Sequence, residues 1–389
     1  MSDMIKRSLD MHSKNPGKIK VESTVTLNNQ EDLSLAYSPY VAEPCKEIYK
    51  DPSKVYEYTS KSNMVAVVSD GTAVLGLGNI GPYAALPVME GKAVLFKEFA
   101  GVDAFPIVLD TTDPDEIINI VTAIAPGFGG INLEDIAAPN CFKIESELKK
   151  RLDIPVFHDD QHGTSIITTA ALINACRLTK RKLEDLNIVI CGLGAAGSNI
   201  ARLLHKMGVN NISGYSLDGV ISIKNYHQYD FSIKALLDEK IIKSSDEASL
   251  TNLVKNKDVF IGVSAKGLLT KDMIRTMKKD PFVFAMANPD PEISYKEAKE
   301  AGAKAVGTGR SDYPNQINNV LAFPGIFKGA LAARAENITD SMKLASAKAI
   351  SNIISDDELS EDYIIPSPFD KRVVEAVSKA VYNEAIQKK

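Results

Sequence analysis

Along the chain, short apolar runs bounded by turn residues alternate with stretches whose apolar residues recur every three or four positions. Val65–Val68 running into Asp70-Gly71 predicts a buried strand, and Ala73-Val74-Leu75 its return. Ala93–Phe96 and Phe105–Asp110 read as further strands. Asp113–Ala125 predicts a helix: Thr111, Thr112 and Asp113 offer caps, and Ile117, Ile118, Val121 and Ile124 fall at helical spacing. Asn140–Leu152 predicts another, with Ile144, Leu148 and Leu152 on one face, followed by a short strand at Pro155–Phe157 and a long apolar helix over 164–180. Beyond it come a strand at Leu186–Ile190, a helix through about Met207 and a strand at Ile212–Ser216. Further strands are expected at Val259–Val263, Phe282–Met286 and Ala305–Thr308, with a mainly helical tail ending near Lys371–Ile386. Strands and helices in alternation predict an α/β fold built on a doubly wound parallel sheet.

Two G-x-G-x-x-G matches occur. Gly192-Leu193-Gly194-Ala195-Ala196-Gly197 lies between a strand and a helix, the context in which such a turn lets backbone and a helix N-terminus meet a pyrophosphate. It marks a Rossmann-type dinucleotide-binding domain, although close packing alone would also favour small residues there. The copy at Gly76, Gly78 and Gly81 runs into Pro82 and reads as a sharp loop without a long amphipathic helix directly behind it. An acid at the end of the next strand would bind the ribose hydroxyls of NAD. Ser216 holds that place, with no arginine beside it, so NAD is expected and NADP stays open.

Composition narrows the class. At 389 residues the chain has room for two or three domains. Fifty Asp plus Glu outnumber 45 Lys plus Arg, which gives no electrostatic reason to expect nucleic acid or an anionic membrane surface. No apolar run approaches the roughly 20 residues of a membrane helix. The N-terminal 20 residues lack the apolar segment of a signal peptide and read as a partly helical arm ending at Pro16-Gly17. Four scattered cysteines point to a reducing compartment, and the expected location is cytoplasmic.

The carboxylate doublets Glu134-Asp135 and Asp159-Asp160 each follow an apolar stretch. If they converge, they form a hard oxygen site suited to Mg²⁺ or Mn²⁺. His158 and His162 flank the second doublet at i, i+4, which also admits zinc, but no third nitrogen or sulfur ligand stands at suitable spacing.

These residues belong to a longer ordered series: LAYSP at 35–39, SDG at 69–71, LGLGNIG at 75–81, EGK at 90–92, NLED at 132–135, HDDQHGT at 158–164 and NNVLAFPG at 318–325. The series resembles that of malic enzymes from about residue 15 to beyond 330, and the length resembles the compact bacterial form. The resemblance implies oxidative decarboxylation of L-malate to pyruvate and CO₂ with reduction of NAD(P)⁺. It implies a smaller N-terminal α/β malic-enzyme domain (1–160) carrying the metal, then the NAD(P)-binding domain with its helical tail (161–389), in a homodimer. By motif, Tyr37 would be the general acid and Lys92 the general base, with Lys97 its competitor. Glu134, Asp135 and Asp160 would hold the metal, supported by Asp159. Asn288 would contact cofactor and substrate, and Asn318 the substrate, with Asn319 its alternative. A lysine can accept the C2 hydroxyl proton near neutrality if burial lowers its pKa. A hard cation can polarise the C2 oxygen and steady the charge left after decarboxylation. The loop departs from the usual pattern at Ser38-Pro39-Tyr40, and Ala73 stands where larger members carry a substrate-binding arginine. A malolactic-type or oxaloacetate-decarboxylating enzyme and a non-catalytic dinucleotide-binding protein are the competing readings.

Overall fold

The computed structural model of the chain describes residues 3–14, 17–74 and 76–387. Pro16 of the predicted turn and Leu75 of the predicted return strand lie outside the described residues.

Two parallel sheets organise the molecule. The first has the order β2-β1-β3-β4, from β1 (Met64–Ser69), β2 (Asp103–Val108), β3 (Gly130–Leu133) and β4 (Val156–His158), all paired in parallel. The second has six strands in the order β10-β9-β8-β5-β6-β7. They are β5 (Asn187–Cys191), β6 (Asn211–Ser216), β7 (Gly219–Val220), β8 (Val259–Gly262), β9 (Phe282–Ala285) and β10 (Ala305–Thr308). Within the second sheet the short hairpin β6–β7 pairs antiparallel and the other described strands pair in parallel. Apart from the edge strands β2 and β7, the strands are near-continuous runs of buried, mainly apolar residues, as a sheet covered by helices on both faces requires. The order reverses direction beside β5, so a crevice opens at the carboxyl ends of β5 and β8.

The helix Asp159–Thr179 links the sheets and spans the division expected at 160/161. It starts five residues earlier than its apolar pattern predicts, because Asp159 and Asp160 occupy its first turn, where carboxylates complement the exposed N–H groups. The second metal-type doublet therefore sits at a helix N-terminus.

Among the described residues, two predicted strands do not form. Ala93–Phe96 is the end of the helix Gly81–Leu95 and the start of a π-helical turn at Phe96–Ala100. Ala85, Met89, Lys92, Ala93 and Phe96 are all buried at helical spacing, and a four-residue apolar run alone cannot distinguish the two periods. Ala73 and Val74 lie in a turn closed by a single bridge from Val74 to Gly78. The loop at Gly76–Gly81 is sharp as expected, but a helix does follow it at once. Pro82 sits in the first helical turn, where its missing N–H costs nothing.

The helix Phe323–Ala332 packs on the first sheet and on the helix end at Phe96. Phe323 lies 4.7 Å from Phe96, and Phe327 lies 5.3 Å from Phe96 and 5.9 Å from Phe157, all edge-on. The C-terminal helices Asp340–Ser351 and Lys371–Ile386 complete this layer, as the sequence predicts. The N-terminal helices Asp3–Lys14, Gln30–Ala36 and Ala42–Lys50 bury no residue. Among the described residues no helix is long and apolar enough to cross a membrane.

Candidate active site

Adjacent parallel strands deliver the two doublets to one place. β3 runs directly into Glu134 and Asp135, β4 into Asp159 and Asp160, and the two strands pair from Ile131–Val156 to Leu133–His158. Asp135 takes a left-handed backbone (φ 53°), a conformation aspartate tolerates, and its N–H donates to Asp160 Oδ2 at 2.9 Å. Carboxylate oxygens of Glu134, Asp135 and Asp160 all lie within 4.8 Å of one another. Glu134 and Asp135 are buried, and Asp135 Oδ2 has no hydrogen-bond partner in the protein.

Burial and mutual repulsion push these carboxyls up: Glu134 to about 7, Asp135 to about 9, and Asp160 to about 6. Two buried acids and a half-buried third, with an orphaned oxygen and an all-oxygen donor set, fit a hard divalent cation. Zinc finds no support. His162 Nε2 faces Glu145 at 2.8 Å, and the nearer His158 is a buried neighbour, with Nδ1 3.8 Å from Asp160 Oδ2. Among the described residues the convergent ligand group contains no histidine or cysteine.

Lys92 reaches this cluster from the helix Gly81–Leu95. Its Nζ lies 2.6 Å from Asp159 Oδ2 and 2.8 Å from Glu134 Oε1, and 4.2 Å from the centre of the Phe323 ring. Burial pulls the ammonium down, but the charges of Asp159 and Glu134 outweigh it and hold its pKa above the ordinary lysine range. The lowered pKa expected from burial alone is therefore corrected: with its carboxylate neighbours ionised, Lys92 is charged. Asp159 is raised to about 6 by burial, against the pull of Lys92. Lys97, the rival base, pairs with Asp103 on the surface at 2.7 Å with more than half of its side chain exposed.

Three further side chains position the cluster. Asn132 donates to Glu134 Oε2 at 2.8 Å, and strand alternation, which places residues two apart on one face, is the signal that could have marked it. Asn319 donates through its amide to Asp159, whereas the Asn318 side-chain oxygen caps the short helix Asn319–Leu321 by accepting from Val320. Phe323 covers Lys92; no pattern in the sequence singles it out from its apolar neighbours. Tyr37, at the end of the helix Gln30–Ala36, is 70% exposed and is not brought into the carboxylate cluster within this chain.

The dinucleotide turn follows β5. A Cβ on Gly192 (φ +97°) would lie 2.6 Å from the Val263 carbonyl oxygen, and one on Gly197 would lie 1.8 Å from that of Gly192. Gly194 faces open space. Leu193 is buried against Gly214, and Ala195 and Ala196 open the helix Ala195–Lys206, whose first N–H groups point into the crevice entrance. Ser216 ends β6, with its hydroxyl accepting from the Asp218 N–H at 3.2 Å. Asn288 stands exposed beyond β9. The other glycine loop meets it: a Cβ on Gly76 would lie 2.2 Å from the Asn288 carbonyl oxygen, so that loop joins the two halves of the site. In the same loop the Ala73 N–H donates to the Asp135 carbonyl at 2.9 Å.

A doubly wound sheet with a glycine-rich turn, facing a buried set of carboxylates and a lysine, is the anatomy of a two-part dinucleotide-dependent enzyme. Residues 16–149 match the family model "Malic enzyme, N-terminal domain" and residues 161–387 match "Malic enzyme, NAD binding domain". The bifunctional malic/malolactic enzyme of Bacillus subtilis (strain 168) is 57% identical over 98% of this chain and 92% of its own length. The NAD-dependent malic enzyme of Geobacillus stearothermophilus is 55% identical over 95% of this chain and 77% of its own. The crystal structure of malic enzyme from Pyrococcus horikoshii Ot3 superposes with a TM-score of 0.93 at 48% identity, covering 99% of this chain and 91% of that one. The chain belongs to the malic enzyme family.

Proposed function

We propose that the protein oxidatively decarboxylates L-malate to pyruvate and CO₂, reducing NAD⁺, or NADP⁺ in its place, with Mg²⁺ or Mn²⁺ held by Glu134, Asp135 and Asp160. The observation that carries this reading is the contact of Lys92 with Glu134 and Asp159 at the edge of that carboxylate trio. Held by Glu134, Asp135 and Asp160, the cation would supply a Lewis acid for the C2 oxygen and for the charge that decarboxylation leaves, and the nicotinamide would supply the hydride acceptor. Lys92 accepts the C2 hydroxyl proton. The Glu134 carboxylate, which would also hold the cation, is one of the two charges that raise the Lys92 pKa, so sharing that charge would ease the base form. Asp159, fixed by Asn319, keeps the ammonium aimed at the substrate. Asn288 binds at the junction of nucleotide and substrate, and Asn318, with its amide NH₂ turned from the cap, serves the substrate. The turn Gly192–Gly197 receives the pyrophosphate and Ser216 borders the ribose. The division between the two functional units falls at 160/161.

Tyr37 delivers a proton to C3. Its exposure, together with exposed Met4, Leu9, Val25, Leu27 and Leu35 on the same N-terminal segment, supports a homodimer that covers this face and seats Tyr37. The partner set is otherwise a small molecule, with no nucleic acid and no membrane, in the cytoplasm.

The Bacillus subtilis relative is a malic/malolactic enzyme, which favours malolactic release as the second reading. Product analysis with malate and Mn²⁺ decides between them: pyruvate with one reduced nucleotide per CO₂ supports the first, and lactate without net nucleotide reduction supports the second.

A further inference from the structure

The charge balance of the site leaves one requirement unmet. Four carboxylates, Glu134, Asp135, Asp159 and Asp160, face the single ammonium of Lys92, so the ionised cluster carries three net negative charges. A divalent cation reduces this to one. A four-carbon diacid brings two more negative charges, and Lys92 is already committed to Glu134 and Asp159. Another cation must meet one of the substrate carboxylates.

The second sheet offers one. Arg310 follows β10 and Gly309 at the carboxyl edge of the second sheet. A Cβ on Gly309 would lie 3.6 Å from the Asn288 amide nitrogen, so this turn packs directly on Asn288. From there the Arg310 guanidinium donates to the Pro289 carbonyl at 3.4 Å, beside the Asn288–Gly76 junction. Its Nε and one terminal nitrogen form a two-point pair with Asp312, each at 2.8 Å. The loop that starts at Arg310 ends at Asn319, which touches Asp159. One loop thus presents a guanidinium at the crevice rim and an amide at its floor.

We propose that Arg310 is the substrate-carboxylate residue of this site: its guanidinium leaves Asp312 and takes one carboxylate of the diacid in the same two-point geometry. The assignment rests on the reading of the substrate given above. The exchange is physically cheap because the Arg310–Asp312 pair is 39% and 53% exposed, and such rim pairs contribute little to stability. A planar two-point donor also discriminates a carboxylate by shape as well as charge. Lys266, the other cation flanking this turn, is less suited. Its side chain is 74% exposed, it pairs with Asp290, and it offers a point charge instead of a fork.

The test measures KM for malate, KM for NAD⁺, and calorimetric binding of L-malate in the presence of Mn²⁺. It uses the wild type, Arg310→Gln, Arg310→Lys and Lys266→Ala. The expected result is a rise of about 10- to 100-fold in malate KM and Kd for Arg310→Gln, as for loss of a charge-assisted two-point contact, with KM for NAD⁺ within about twofold. Arg310→Lys should fall between, and Lys266→Ala should match the wild type. An unchanged malate Kd in Arg310→Gln overturns the assignment alone. So does a rise in KM for NAD⁺ as large as that for malate, which would place the guanidinium on the nucleotide. Absence of malate binding in the wild type overturns the substrate reading and this assignment together.

Discussion

Lys92 and Asp159 meet at 2.6 Å in full burial, which ties a helix of the first sheet to the N-terminus of the helix that crosses to the second. The contact fixes the ammonium beside the carboxylate trio. Lys92→Ala should lower kcat by at least about 10²-fold, as for loss of a general base. Lys97→Ala should stay near the wild-type value, because Lys97 is turned to the surface. Steady-state kinetics of both variants check this, and near-normal turnover in Lys92→Ala would assign the base elsewhere.

The raised carboxyls make metal affinity and stability depend on pH with a definite sign. Unfolded Asp and Glu titrate near 4, whereas in the fold Asp160, Glu134 and Asp135 titrate near 6, 7 and 9. The metal-free protein therefore holds the stability of these protonated groups at low pH and loses it as pH rises through about 6 to 9. Cation binding has to displace more of those protons at low pH than at high pH. The rise in Tm on adding Mn²⁺ to chelator-treated protein should be larger at pH 8.5 than at pH 5. Asp135→Asn should flatten that difference. Thermal scans at the two pH values measure it.

Two glycines of the dinucleotide turn should respond in opposite ways. Gly197→Ala forces a methyl into the Gly192 carbonyl and should cost about 3 kcal/mol in unfolding free energy, the upper end of overpacking effects. Gly194→Ala meets open space, so the variant should fold normally and lose affinity for NADH instead. Denaturant titration and fluorescence binding of NADH separate the two effects.

Cofactor choice turns on Ser216. An acid there would bind the ribose hydroxyls of NAD and repel a 2′-phosphate. Ser216→Asp should therefore raise the ratio of kcat/KM for NAD⁺ over NADP⁺ by about tenfold or more, one charge-assisted contact's worth. An unchanged ratio would move the selecting position off the end of β6.

The sequence is most readable where chemistry and local pattern coincide. The strand–turn–helix around Gly192 and the two acidic doublets are visible as motifs, and parallel pairing of β3 with β4 is what turns the doublets into one cluster. Asn132 was open to inference from strand alternation but carried no motif of its own. The sign of the Lys92 shift was not readable, because burial and ion pairing act in opposite directions and only the distances to Asp159 and Glu134 decide between them. Phe323 and Gly76 act through contacts more than 200 residues away along the chain, so no local pattern signals them. The Ala93–Phe96 segment shows the opposite failure: its local pattern is genuine, but four apolar residues suit either a strand or the buried end of a helix.

The most direct test of the account follows absorbance at 340 nm with L-malate, NAD⁺ and Mn²⁺, with parallel assay of pyruvate, before and after a chelator and in Glu134→Gln. Expected are one pyruvate per reduced nucleotide in the wild type, loss of both signals with chelator, recovery on returning Mn²⁺, and loss in Glu134→Gln that Mn²⁺ does not restore. No nucleotide reduction by the wild type with either NAD⁺ or NADP⁺, or full activity in the chelated enzyme, would contradict it.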